Sequence, residues 1–254
     1  MRSEPQLRQQ LEKVRPTRLG SCGKVDEIIG SFNTWAFKRE QPSNMALLRQ
    51  VVGNAVADQE PVPFILYWGK GPRVKAAVME ARCLEYLASL GNRVQQTYAP
   101  GARFELLLTD SHARLNGYAD HDIDTYYDSI TRSAAQFGFS CRRLTDVTAS
   151  APAAIYGETL ERPDPLLLSS LTLSAAKWYR GPDVAAVAAE RYFALNMVER
   201  RAVAHAFASS IFITFNNSQF RELFPRDLPV FYMYSVKKGV AVKPWFMDDG
   251  SAAA

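Results

Sequence analysis

Pro61-Val62-Pro63-Phe64-Ile65-Leu66-Tyr67-Trp68-Gly69-Lys70-Gly71-Pro72-Arg73 reads as an apolar strand running into a glycine-containing turn. A strand with one wet face alternates apolar and polar residues. An unbroken apolar run such as Phe64–Trp68 marks a strand covered on both faces, as in a parallel sheet. The signature recurs at Phe104-Glu105-Leu106-Leu107-Leu108, which ends at Thr109-Asp110, and again from Phe139 to Leu144. Between the first two strands, Val74, Ala77, Val78, Ala81, Leu84, Leu87 and Ala88 recur at helical spacing, with Gly91 near the end of that helix and Pro100-Gly101 at the next turn. Between the second and third, a polar loop from Ser111 to Asp122 leads into a helix over 123–137, capped by Gly138. Residues 62–145 thus read strand, helix, strand, helix, strand, which implies right-handed crossovers and a parallel sheet.

On the N-terminal side, residues 24–57 read as two helices, the second preceded by Pro42 and capped by Ser43. Residues 1–23 form a polar basic arm, with Arg2, Arg8, Lys13, Arg15 and Arg18 against Glu4 and Glu12. On the C-terminal side, 150–208 is helical and punctuated by Pro163 and Pro165. Its longest helix, from Asp183 to Ser209, carries the apolar stripe Val184, Val187, Ala188, Leu195, Val198, Ala202 and Ala206. Ile211–Phe215 is a fourth strand ending at Asn216-Asn217, and Val230–Tyr234 a fifth. Lys237-Lys238-Gly239 reads as a hairpin turn into a last strand, Val240–Val242, and 249–254 as a tag or disordered tail. The expected fold is one α/β domain over 24–248: a doubly wound, mostly parallel Rossmann-like sheet with a helical N-terminal extension.

Composition narrows the function classes. Of 254 residues, 47% are hydrophobic and 22% charged, the balance of an ordinary globular chain. Net charge is +4, from 30 basic and 26 acidic side chains, without the concentrated basic patch that nucleic-acid binding calls for. Cys22, Cys83 and Cys141 make an odd set with no paired spacing, which points to a reducing compartment; no secretory signal precedes the domain, and a cytoplasmic location is expected. No apolar run approaches the ~20 residues of a membrane span. There is no C-x-x-C, H-E-x-x-H or G-x-S-x-G, and the three histidines are too dispersed to ligate a metal, so neither metal nor bound cofactor is expected. His121 and His205 read as solvent-facing and structural, and Cys83 and Cys141 as core. No sequence feature sets an oligomeric state.

Open α/β sheets bind ligands outside the carboxyl ends of their strands, so three loops hold the candidate residues. In the first, Trp68, Lys70 and Arg73 are the candidate substrate-binding residues, and the two cations supply positive charge. Gly69 and Gly71 let the backbone approach a ligand, and a helix starting near Val74 adds its N-terminal amides, so a phosphate or carboxylate is expected there. In the second, Asp110 ends an apolar strand, where partial burial raises a carboxylate's pKa, and His112 titrates near neutrality. These two are the candidate acid–base groups, with Arg114 and Asn116 as substrate-binding partners. The third offers Asn216 after the fourth strand and Tyr234 at the end of the fifth.

The stretch from Pro61 to Thr145, about a third of the chain, resembles the isonitrile synthase family of pyoverdine-type and dityrosine-type biosynthesis. The features that carry the likeness are the apolar strand entering the Trp68–Arg73 loop, then Tyr98-Ala99-Pro100-Gly101-Ala102 and a strand ending in Asp110, then the Asp110–Gly117 loop and a helix with Tyr126. Where the family's aspartate is followed by glycine, this chain has Ser111. The resemblance implies a Rossmann-like enzyme that converts the α-amine of an amino acid to an isonitrile, with ribulose 5-phosphate as cosubstrate and carbon donor. Its partners are then small molecules, an amino acid and a sugar phosphate. Two other readings remain: a cyclodipeptide-synthase-like enzyme using aminoacyl-tRNA, whose usual serine in the strand-one loop is missing from Gly69–Arg73, and a non-catalytic small-molecule-binding protein.

Overall fold

The structure, a computed structural model, describes residues 16–156 and 162–248, with side chains from Gly23 onward. The elements in chain order are α1 (Pro16–Phe32), α2 (Met45–Asp58), β1 (Val62–Trp68), α3 (Val78–Thr97), β2 (Ala102–Leu108), α4 (Asp110–Leu115), α5 (Asp120–Ala135), β3 (Ser140–Arg143), α6 (Leu144–Ala149), α7 (Pro165–Trp178), α8 (Ala185–Ala206), β4 (Ile211–Thr214) and β5 (Val230–Tyr232). Short 3-10 turns occupy Ala153–Ile155, Ser218–Leu223 and Pro244–Phe246.

The strands form one sheet in the order β3-β2-β1-β4-β5. All four pairings are parallel, with Phe64 opposite Phe104 on one side and Ile211 on the other. This is the doubly wound Rossmann-like arrangement expected from the strand–helix alternation. Alternate residues of each strand serve opposite cores. Phe64, Leu66 and Trp68 pack with α1, α2, α3 and α5. Ile65 packs beneath α6, α7 and α8 with Leu107 and Phe212. Both faces are therefore dry, which is why β1, β2 and β4 read as apolar runs. The polar β3 escapes that rule because it lies at the sheet edge, where charged residues discourage further pairing. The first core is strongly aromatic: Phe64 stacks on Phe104 at 5.1 Å between centroids, and Phe32 meets Phe64 edge-on at 5.3 Å.

Several boundaries differ from the sequence expectation, each for a local reason. Helix α1 begins at Pro16, inside the stretch read as an arm; proline suits a first helical position because its missing N–H needs no partner there. Residues 1–15 and the tail from 249 lie outside the described residues. The N-cap of α2 is Asn44, whose Oδ1 accepts the Leu47 N–H, whereas the Ser43 hydroxyl accepts the Val230 N–H. Helix α3 starts at Val78 rather than 74 and runs past Gly91 to Thr97. Mid-helix, Gly91 faces the Phe104 ring closely: a Cβ there would stand 3.1 Å from it. The loop expected over 111–122 is largely helical, as α4 and the start of α5, with Asp120 and Asp122 favouring the N-terminal turn of α5. The expected strand Val240–Val242 does not form. Ser235 turns the chain back instead, its hydroxyl donating to the carbonyls of Val240 and Val242.

A candidate active site at the carboxyl ends of the strands

The carboxyl ends of β1, β2 and β4 open into a cavity of about 300 Å³. Strand β1 contributes Tyr67 and, just beyond it, Gly69 and Lys70. The β2–α4 junction contributes Thr109, His112 and Asn116. Strand β4 contributes Thr214, Phe215 and Asn216. Helices α7 and α8 close the cavity from one side with Trp178, Tyr192 and Asn196. From the other side comes a segment near the C-terminus, Lys243 to Phe246. Trp178 and Phe246 stack at 4.2 Å, joining these two walls.

Of the expected acid–base candidates, His112 pairs with a residue that the sequence expectation does not contain. His112 Nε2 lies 2.5 Å from Glu199 Oε2, a residue of α8 that is 1% exposed. The Ser111 hydroxyl donates to the other carboxylate oxygen. A carboxylate can only accept, so Nε2 carries the proton in this contact and Nδ1 is the ring nitrogen left to face a ligand. Tyr192 and Tyr67 flank the imidazole edge-on, at 4.9 and 6.0 Å. The Tyr67 hydroxyl is buried without a hydrogen-bond partner among the described residues, and burial pushes its pKa well up, with Glu199 adding to the effect. It is therefore a neutral hydroxyl able to hydrogen-bond a ligand. Burial also pushes Tyr192 up to about 12.

Two lysines reach the cavity in different conditions. Lys70 Nζ donates to the carbonyls of Arg73 (2.7 Å) and Gly71 (3.3 Å) and lies over the rings of Tyr118 and Tyr126. Burial lowers its pKa, and one of its three N–H groups stays available. Burial brings Lys243 down to about 8, with no neighbouring charge contributing.

Of the residues expected at the site, Lys70, His112, Asn116 and Asn216 line the cavity. Trp68, Arg73, Asp110, Arg114 and Tyr234 do not. The Trp68 indole is buried, donating to the Tyr126 hydroxyl and packing on Trp245. Arg73 is held by both oxygens of buried Glu80 at 3.1 Å and by the Pro244 carbonyl. Glu80 also accepts the Ala77 N–H at the start of α3, which begins at Val78, so Arg73 and a helix start at Val74 do not form the expected open anion cradle. The close approach that Gly69 and Gly71 permit is made by the chain itself. A Cβ on Gly69 would fall 2.7 Å from the Trp245 ring, and one on Gly71 only 1.9 Å from the Trp245 carbonyl oxygen.

Asp110 departs furthest from expectation. Its carboxylate accepts the Thr145 N–H, the Thr145 hydroxyl and an N–H of Arg114, which also pairs with Asp120. Desolvation alone would raise its pKa, but these hydrogen bonds and the Arg114 charge outweigh it, so the pKa is lowered, not raised. Asp110 ties the end of β2 to the start of α6. Asp110→Asn is accordingly a stability variant. The amide offers one acceptor oxygen where three donors converge, and hydrogen bonds to a charged group contribute about 1.5–3 kcal/mol each. Because Arg114 is partly exposed, solvent trims its share, and a loss of about 2–3 kcal/mol is expected. The pH dependence follows from the lowered pKa: the contribution is present above about pH 4 and is lost as pH falls through the folded-state value. Melting curves from neutral to acid pH should show the parent losing its advantage over Asp110→Asn only at the acid end. A constant gap between them would refute this role.

Among the described residues no three His, Cys, Asp or Glu side chains stand together to hold a metal, and no helix is long and apolar enough to cross a membrane. No protein-family model matches the chain, and no curated protein sequence does. Among solved structures it is similar to the PvcA protein of Pseudomonas aeruginosa, with a TM-score of 0.69, 17% identity and 87% of each chain covered. Tyrosyl-tRNA synthetase of Archaeoglobus fulgidus, solved with L-tyrosine, overlaps more loosely: TM-score 0.47, 13% identity, 82% of this chain and 63% of that one. At such identities the likeness to PvcA shows the fold.

Proposed function

We propose that this chain is an enzyme acting on the α-amine of an amino acid, forming an isonitrile with ribulose 5-phosphate as carbon donor. The observation that carries the reading is the His112–Glu199 pair set in an aromatic-walled cavity at the carboxyl ends of a parallel sheet. An amino acid arrives as an ammonium ion and must lose a proton before its nitrogen can attack a ketone; the oxygen of the adduct must then gain protons before it leaves as water. His112 is suited to both transfers, and Glu199 stabilises the imidazolium that forms in between. Trp178, Tyr192 and Phe246 offer apolar faces to an aromatic side chain. The remaining N–H of Lys70 can meet an anionic group, as Asn116 and Asn216 can meet hydroxyls. The resemblance of residues 61–145 to isonitrile synthases and the fold shared with PvcA support the same reading.

Incubation with tyrosine or tryptophan plus ribulose 5-phosphate should yield the corresponding isonitrile by mass spectrometry. Product that depends instead on aminoacyl-tRNA would overturn the proposal in favour of a cyclodipeptide-synthase-like reaction. Amino-acid binding with no turnover would make the chain a binding protein.

A further inference from the structure

We propose that Lys243 is the cavity's nucleophilic amine and forms an imine with the carbonyl carbon of an aldehyde or ketone ligand. The argument starts from the contrast between the two lysines on the wall. Lys70 spends its N–H groups on two backbone carbonyls and its charge on two tyrosine rings. Lys243 has no ion pair and no side-chain hydrogen bond among the described residues, although it lines the same cavity. An ammonium in a partly buried cavity wall without a counter-charge is the costly form of the group, so the neutral amine is favoured. The other ionisable side chains around the cavity are Tyr67, Lys70, His112 and Tyr192, and none of them supplies a resident anion. An amine that titrates at about 8 is substantially unprotonated at mildly alkaline pH, and its lone pair is then available.

The backbone behind Lys243 is held. Pro244 accepts from Arg73, Trp245 lies against Gly69 and Gly71, and Phe246 stacks on Trp178. The amine is thus presented from an anchored segment rather than a loose tail.

The step balances without an oxidant or reductant. The Nζ lone pair adds to the carbonyl carbon, the C=O electrons move to oxygen, and a proton passes from nitrogen to that oxygen. The carbinolamine hydroxyl then takes one further proton, drawn from solvent, and leaves as water while the nitrogen lone pair forms the C=N bond, giving a protonated imine. His112, on the same cavity, can carry those protons. A free amine arriving next can add to the imine carbon and displace Lys243, returning the lysine unchanged. For a ketose as the carbonyl compound the inference rests on the function proposed above. For carbonyl compounds in general it does not.

The test is reductive trapping of the whole protein near pH 8. Sodium cyanoborohydride is added with ribulose 5-phosphate in one arm and 4-hydroxybenzaldehyde in the other, followed by peptide mapping. The expected result is a secondary amine at Lys243, formed about tenfold or more faster than at the exposed lysines Lys75 and Lys238. Lys243→Arg keeps the positive charge but cannot form the adduct; it should abolish labelling in that peptide and lower any turnover sharply, whereas a purely charge-binding role would survive the change. No preferential labelling at Lys243 by either compound overturns the inference, as does full turnover by Lys243→Arg. The two proposals fail separately. Isonitrile formation with no trapping at Lys243 refutes this one alone. Trapping of the aromatic aldehyde, with neither ribulose 5-phosphate adduct nor isonitrile, upholds Lys243 and refutes the proposed reaction.

Discussion

Glu199→Gln should lower turnover by about 10² or more while leaving the melting temperature nearly unchanged. Glutamine has almost the shape of glutamate, and its amide oxygen can still accept the Nε2–H of His112. What it lacks is the charge. In the proposed reaction His112 takes a proton from substrate and becomes an imidazolium beside Glu199, which is 1% exposed, so water screens the carboxylate's attraction less than at the surface. Little stability should be lost, because the buried carboxylate carries a desolvation penalty that the amide escapes. The measurement is kcat alongside thermal melting. A Glu199→Gln protein that melts like the parent and turns over within about threefold of it would remove the pair from the chemistry.

Gly71→Ala should lose about 3 kcal/mol of stability and most of its activity together. A methyl group at this position would stand 1.9 Å from the Trp245 carbonyl oxygen and 2.8 Å from its carbon, and backbone cannot swing aside as a long side chain can. Either β1's turn or the Lys243–Phe246 segment must move, and each bears part of the cavity wall. Chemical denaturation together with the trapping assay checks this. Parental stability, or normal trapping at Lys243 in the variant, would show that the segment can shift at little cost.

The strands were legible because a parallel sheet leaves a strong mark on sequence: β1, β2 and β4 must be apolar on both faces. The strand-end rule likewise leads to Lys70, His112, Asn116 and Asn216 without any coordinates. Glu199 was hidden for a specific reason. Of the expected stripe Val184, Val187, Ala188, Leu195, Val198, Ala202 and Ala206, Ala188 and Ala202 are buried, but Val184, Val187 and Val198 are exposed. The inward face that carries Ala188 also carries Tyr192, Asn196, Glu199 and Val203, and apolar periodicity cannot find a face that includes polar groups. The Tyr192, Asn196, Glu199 spacing of four and three residues was the available sign. Asp110 misled for the opposite reason. Its position at a strand end was read correctly, but its partner Thr145 lies across the β2–β3 connection, and nothing in the sequence joins the two. Lys243 directly follows the expected hairpin strand Val240–Val242, which does not form, and the strand-end rule was applied only to the parallel strands.

The strand order also governs the risks this chain meets while it is being synthesised. β1 finds its β2 neighbour soon after leaving the ribosome, but its other neighbour, β4, begins only at Ile211. Until then Val62–Trp68, among the most apolar stretches of the chain, presents an open hydrogen-bonding edge on which another nascent chain could add a strand. Slowed translation between Arg143 and Ile211 should therefore favour aggregation more than an equal delay after Tyr232, by which point β4 and β5 have sealed that side of the sheet.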